Sequence, residues 1–377
     1  MEEEKKQIVF VNQSSGYLML DIIDAFGAAY DERILMAGFI NPRNKKVDTS
    51  IKIIKLAEYN RSSSAKRLLS WSLAFVKALW LIKTRYRKAD LFLVSNPPFA
   101  LFIPLFCNNP FRVLVYDVYP DAMVSYNLLK PDSVLARQWR DANKKVFAKA
   151  VGIYTIGNGM KQLLTAYIAP SKIKVVPVWT DNEFLRPLPK TTNPFIAQQK
   201  LDGKFTVLYS GNLGKTQQAE VLVELAANTT DNGLFFLIIG GGDKFQALAN
   251  KIQESGLNNI RLLPWQETDL LPYTLAAADI AVVSLGKEAS LLSVPSKTFN
   301  YLSVGAPLLC IASPDSELAA LVKEYRIGEC FYSNEAGRML DFITRLKNNK
   351  NLLEEFRQRS LATSRLFGPA NAAQFIN

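Results

Sequence analysis

Ser296 and Lys297 stand in the run VPSKTFNYLSVGAPL, residues 294–308, where their types and position suit anion chemistry. A strand-like run, Ile280–Leu285, leads through a loop into a short helix, then Gly-x-Pro, then a second apolar strand, Leu308–Ile311. That order sets a helix N-terminus at the carboxyl end of a parallel strand, where open α/β sheets bind ligands. Free N–H groups, the helix dipole and an ammonium there favour an anion. Ser293 and Val294 could offer further N–H groups to a diphosphate, and Asn300, one turn into the helix, could hydrogen-bond a sugar hydroxyl. The alternative is an ordinary strand-to-helix turn with a serine N-cap.

Three more segments carry the same kind of chemistry. In SGNLGKTQQAEVLVELA, residues 210–226, Gly211 and Gly214 let backbone approach a ligand, Asn212 sits between them, and Lys215 can pair with a phosphate as a point charge. In LIIGGGDKFQAL, residues 237–248, Gly241 lies in a triple-glycine turn after a buried strand. In LLPWQETDLLPYTLAAADIAVV, residues 262–283, the Trp265 ring could pack on a nucleobase or simply cover the sheet edge. Isolated, each also reads as a plain βα turn. In the first half, Asp117 and Asp121 of YDVYPDA end a strand, where a carboxylate can orient or deprotonate a hydroxyl, or else cap a helix.

The elements that must position these groups are legible as short apolar runs separated by helical patterns. Runs such as Gln7–Val11, Leu91–Val94 and Val113–Tyr116 recur in the first half, and Thr206–Tyr209, Phe235–Ile239, Ile280–Ser284 and Gly328–Phe331 in the second. That alternation predicts an α/β chain of βαβ units with parallel sheets. A length of 377 residues predicts two domains. A proline-rich stretch, Pro177–Lys204, reads as the linker between them. The expected division is 1–180, 181–355, and a C-terminal helix over 356–377 with a break at Gly368–Pro369.

Composition excludes several classes. The chain has no histidine, which removes Ser-His-Asp and Cys-His catalysis and histidine–metal sites. Three scattered cysteines, Cys107, Cys310 and Cys330, form neither a metal quartet nor a disulfide framework, so a reducing cytosol is expected. The opening MEEEKKQIVFV lacks the apolar core of a signal peptide, and no run of uncharged apolar residues is long enough to span a membrane. The net charge of +11 is uneven: residues 1–180 hold 26 Lys and Arg against 14 Asp and Glu, residues 181–377 hold 19 against 20. Arg61–Lys88 carries eight basic residues and no acid, interleaved with Trp71, Phe75, Trp80 and Tyr86. As a helix it would align Lys66, Ser70, Lys77, Thr84 and Lys88 in one stripe, suited to an anionic bilayer or to solvent over a core helix. No recognised RNA- or DNA-binding motif accompanies the charge, so nucleic acid is not an expected partner.

Taken in order, the strand–Gly–Asn–x–Gly turn, the I-G-G-G turn, LAAADIAVVSL and PSKTFNYLSVGAP resemble the nucleotide-binding half of glycosyltransferase family 4. VVPVWTDNEFLRP, residues 175–187, resembles that family's interdomain connection, and VYDVYPDAMV and IGNGMKQLL its acceptor half. The resemblance implies a GT-B fold, two Rossmann-like domains facing across a cleft with the last helix crossing back to the first. It implies a retaining transferase of surface-polysaccharide synthesis, using a nucleotide-diphosphate sugar (UDP or GDP) and neither metal nor other cofactor. The acceptor would be a saccharide or an isoprenoid-linked sugar at the inner face of the plasma membrane. Lys297, Asn300 and Asp117 would then be catalytic, Gly211, Asn212, Lys215, Gly241, Trp265, Ser293, Val294 and Ser296 would hold the donor, and Ser15, Gly16 and Asp121 would border the acceptor. Two family glutamates near the donor sugar are missing: their positions hold Leu292 and Asn300, with Glu288 out of register. Their absence keeps two alternatives in view, a GT-B sugar-nucleotide epimerase and a degenerate scaffold that only binds.

Overall fold

The computed structural model describes residues 5–60, 62–125, 128–214, 216–286 and 294–376, without the side chain of Ser64. It divides into two units, Met1–Pro177 with Pro369–Asn377, and Val178–Gly368. The first holds β1 (Gln7–Val11), β2 (Ser14–Gly16), β3 (Glu32–Ala37), β4 (Phe39–Asn41), β5 (Ile51–Lys55), β6 (Asp90–Val94), β7 (Phe111–Val115), β8 (Gly152–Thr155) and β9 (Ile173–Val175). Seven of these form one parallel sheet ordered β5-β3-β1-β6-β7-β8-β9, while β2 and β4 pair separately. The second unit holds β10 (Phe205–Asn212), β11 (Leu234–Gly241), β12 (Ile260–Leu263), β13 (Ile280–Ser284), β14 (Leu308–Ile311) and β15 (Gly328–Phe331). They form a parallel sheet ordered β12-β11-β10-β13-β14-β15.

Both orders reverse beside the first strand of their unit, the pattern of dinucleotide-binding folds, which places a ligand crevice at the carboxyl ends of the strands flanking the reversal. Those strands are β1 and β6 in the first unit and β10 and β13 in the second. The central strands are unbroken apolar runs because helices cover both faces of each sheet. β13, IAVVS, is buried at every position, and β11, LFFLIIGG, at all but its last.

The proline-rich connection is built into the second unit. Trp179, Thr180 and Leu185 are buried. Ser303 donates to the Leu185 carbonyl and, at 3.0 Å, sits on Asn182 Oδ1. Lys190 pairs with Asp279. The long C-terminal helix, Lys350–Ser364, also stays in this unit, with Phe356 in its core and Ser360 donating to the Ala306 carbonyl at 3.2 Å. The segment that returns to the first unit is a 3-10 turn, Pro369–Phe375. It seats Phe375 at 5.8 Å from Phe92 and 4.9 Å from Tyr154, and Tyr154 donates to its carbonyl at 3.0 Å.

The basic segment forms the helix Ser64–Arg85, started by Ser63, whose hydroxyl accepts from the Lys66 N–H at 3.2 Å. Its inward row is Ser70, Trp71, Ala74, Ala78 and Ile82. Ser70 therefore leaves the polar stripe expected of it. It is buried, its hydroxyl donating to the Arg67 carbonyl at 2.8 Å and accepting from Asn60 N–H at 3.3 Å. Small alanines bring the helix backbone close to its neighbours, so bulky leucines on other faces are left outside. Among the described residues no helix is long and apolar enough to cross a membrane.

Candidate functional site

The carboxyl ends of β10, β11 and β13 converge on the helix Ser296–Ser303. Pro295 occupies the N-cap and offers no side-chain cap, so Ser296 is the first helical residue rather than the cap. The Thr298 N–H bonds back to the Pro295 carbonyl at 2.9 Å. Ser296 is exposed and Val294 half-buried ahead of it. Ser293 and Lys215 lie outside the described residues.

Lys297 points from this helix across β10. Its Nζ is enclosed and, among the described residues, has no hydrogen-bond partner. It rests 4.0 Å above the centre of the Tyr209 ring. Burial without a counter-charge lowers its pKa from 10.5 to about 7. Side chains two apart on a strand share a face, so Tyr209 and Gly211 lie under the same lysine. A Cβ on Gly211 would meet Lys297 Nζ at 2.6 Å, so glycine is what makes room for the amine. Tyr209 is fixed in turn by donating to the Asn212 carbonyl at 2.7 Å. Tyr301, one helical turn on from Lys297, ties the helix to the strand: Ser210 N–H donates to its Oη at 2.6 Å, and its hydroxyl donates to the Ser210 carbonyl at 3.1 Å. Ser284, the last residue of β13, accepts from Gln218 N–H at 3.0 Å and donates to Gln217 Oε1 at 3.2 Å, closing the loop after β10.

The glycines of β11 serve close packing. A Cβ on Gly240 would lie 2.0 Å from the Gly211 carbonyl oxygen, and one on Gly241 2.7 Å from Trp265 Nε1. Trp265 thus turns the Nε1 edge of its ring toward Gly241, and the residue is 58% exposed. Asn212 Oδ1 lies 2.7 Å from the position of a Cβ on Gly242, whose φ of +140° suits glycine. Asn300 is engaged from the connection: Thr180 Oγ1 donates to its Oδ1 at 2.7 Å.

In the first unit Ser15 and Asp121 are held by partners. Ser15 is buried and donates to the Asn12 carbonyl at 3.0 Å. Gly16 has extended backbone, and a Cβ there would come no nearer than 3.9 Å to the Asn41 carbonyl, so no crowding demands glycine. Asp121 starts a short helix and is held by Arg140 at 3.2 Å and by the Tyr167 hydroxyl. Asp117 follows β7, its N–H donating to Ser95 Oγ at 3.2 Å. Desolvation raises its carboxyl above the ordinary value. Tyr209, Tyr301 and Ser284 were not singled out by sequence, because Tyr and Ser within buried strands and helices read as core. The one available signal for Tyr209 was its spacing of two from Gly211.

The two parallel sheets and their strand orders are those of the GT-B fold. HepE of Anabaena, solved in complex with UDP-glucose, superposes with a TM-score of 0.73 at 15% identity, over 99% of this chain and 98% of that one. Residues 192–362 match the family described as glycosyl transferases group 1. The chain is 28% identical to WbjE of Pseudomonas aeruginosa, named a probable glycosyltransferase, over 71% of its own length and 69% of the relative's. It is 30% identical to WcaI of Escherichia coli K12, named for colanic acid biosynthesis, over 47% of its length and 43% of the relative's.

Proposed function

We propose that this glycosyltransferase moves a sugar, with retention, from a nucleoside-diphosphate donor to a saccharide or lipid-linked acceptor in cell-surface polysaccharide synthesis. It would work in the cytoplasm against the inner membrane face. The observation that carries the donor side is the Lys297 amine, enclosed and unpartnered at the carboxyl edge of β10. A diphosphate supplies the missing counter-charge. On binding it returns the amine to its protonated form, so positive charge faces the leaving group as its negative charge develops. The N–H groups of Val294 and Ser296 at the helix start add to this, and Gly211 keeps the seat of the amine clear. Asn212 follows Gly211 on β10, and the exposed face of Trp265 is available to a base. Asn300, steadied by Thr180, retains its amide N–H groups for a sugar hydroxyl. In the first unit, Asp117 is the candidate for orienting the acceptor hydroxyl, its raised pKa moving it toward proton exchange with an alcohol.

Support for a UDP donor comes from HepE, solved with UDP-glucose, and support for the pathway class from WcaI, named for colanic acid biosynthesis. The first unit's excess of Lys and Arg supports an anionic membrane beside the acceptor. The test is nucleotide release from UDP- and GDP-sugars with and without a lipid-linked saccharide extract. Release that depends on the extract is the expected result. Isomerised donor without acceptor would make the protein an epimerase. Tight nucleotide binding with no turnover would make it a scaffold, the reading favoured by an amide rather than a carboxylate at position 300.

A further inference from the structure

On the helix Ser64–Arg85, residues 69, 73, 76 and 80 fall within about 60° of one another at 3.6 residues per turn, opposite the buried row of Ala74 and Ala78. Leu69 is 59% exposed, Leu73 54%, Val76 61% and Trp80 62%. The patch continues onto Phe106, 53% exposed, whose ring lies 6.2 Å from that of Phe75 on the same helix. A row of large apolar side chains facing water across about three helical turns is not a feature of a surface that stays in water. Lys66 and Lys77 flank the row on one side and Lys83 on the other by the same helical geometry. No acid occurs from residue 61 to residue 88.

We propose that this face docks on an anionic lipid bilayer, with the apolar row seated in the acyl boundary and the lysines on the headgroup phosphates. This deepens the membrane contact proposed above and is independent of how the donor is bound. Charge decides the occupant. A second copy of the chain would bring two acid-free basic faces together, which repel. An anionic leaflet attracts every one of these lysines, and Trp80 suits the interface, with an apolar ring and a polar N–H. A helix lying flat in the interface would seat this row in the acyl boundary and leave the lysines beside it at the headgroups.

The experiment is co-sedimentation of the full chain with vesicles of phosphatidylcholine alone or with about a third phosphatidylglycerol, with a UDP titration on the same preparations. The wild type is expected to partition onto the anionic vesicles and much less onto neutral ones. Leu73→Glu with Val76→Glu should abolish binding to both, and Lys66→Glu with Lys77→Glu should lower partitioning onto anionic vesicles by at least about tenfold. The milder Trp80→Gln, on an exposed position, should weaken binding in the same direction if the double variant is poorly folded. UDP affinity should be unchanged throughout. Equal binding to both vesicle types, or none, overturns the proposal. So does a wild-type dimer in light scattering that the apolar variant dissociates while vesicle binding persists. Loss of UDP binding with vesicle docking intact would count against the donor reading alone.

Discussion

The carboxyl edges of the two sheets are topological twins and chemical opposites. In the second unit the strand beside the reversal ends in Ser-Gly-Asn, and the enclosed Lys297 amine above it has no hydrogen-bond partner among the described residues. In the first unit Asp121, expected at the acceptor border, is held by Arg140 and by Tyr167, whose hydroxyl is pushed up chiefly by burial and then by its bond to Asp121. A paired ion holds structure, and its removal costs stability. An unpaired buried ion costs stability, and that cost is recovered when a ligand of opposite charge arrives. The same contrast separates the two readings of any charged residue in such a fold.

The comparison can be broken most forcefully at Gly240. Its added methyl would sit 2.0 Å from the Gly211 carbonyl across paired central strands, and backbone on both sides leaves no escape. Gly240→Ala should cost roughly 3 kcal/mol or more, read as a lowered unfolding temperature of the second unit. An unchanged melt would mean that the glycine turn is not packed for close approach. Gly211→Ala is the instructive counterpart. There the methyl meets the flexible end of Lys297 rather than backbone, so UDP affinity should fall about tenfold with a smaller loss of stability than at Gly240. Asp121→Ala should cost about 1–2 kcal/mol, because both partners lose an acceptor at a half-exposed site. It should leave UDP affinity alone, and a fall in affinity would erase the distinction between the two edges. A further effect is in pH. Lys297 titrates at about 7 in the folded chain and near 10.5 when unfolded, so between these values the unfolded state holds more protons. Stability of the second unit should therefore rise with pH across that window and fall as pH drops toward 7. Lys297→Met should flatten that slope.

The main strands were readable because parallel strands buried on both faces are continuous apolar runs, as in LFFLIIGG and IAVVS. β2 and β4 were missed: SSG and FIN are too short and too polar to carry a period. Lys297 was readable from its place after a proline at a helix start. Its seat on Tyr209 was not, since that depends on a bare glycine two residues along a different strand. Asn300 was read as a sugar contact from its position one turn in, but its bond to Thr180 spans 120 residues and has no local signature. On the basic helix the period revealed two faces and could not say which one met the sheet. Ala74 and Ala78 decided it by allowing closer packing than the leucines would.

Calorimetric titration of UDP into the wild type and Lys297→Met, at about pH 8 and in two buffers of different protonation enthalpy, tests the central claim most directly. The wild type should take up close to one proton per UDP as the buried amine regains its charge. The variant should take up none and bind roughly 10- to 100-fold more weakly, the loss of one charge-assisted contact. Equal affinity and equal proton balance in the two proteins would show that the Lys297 amine has no part in holding the nucleotide.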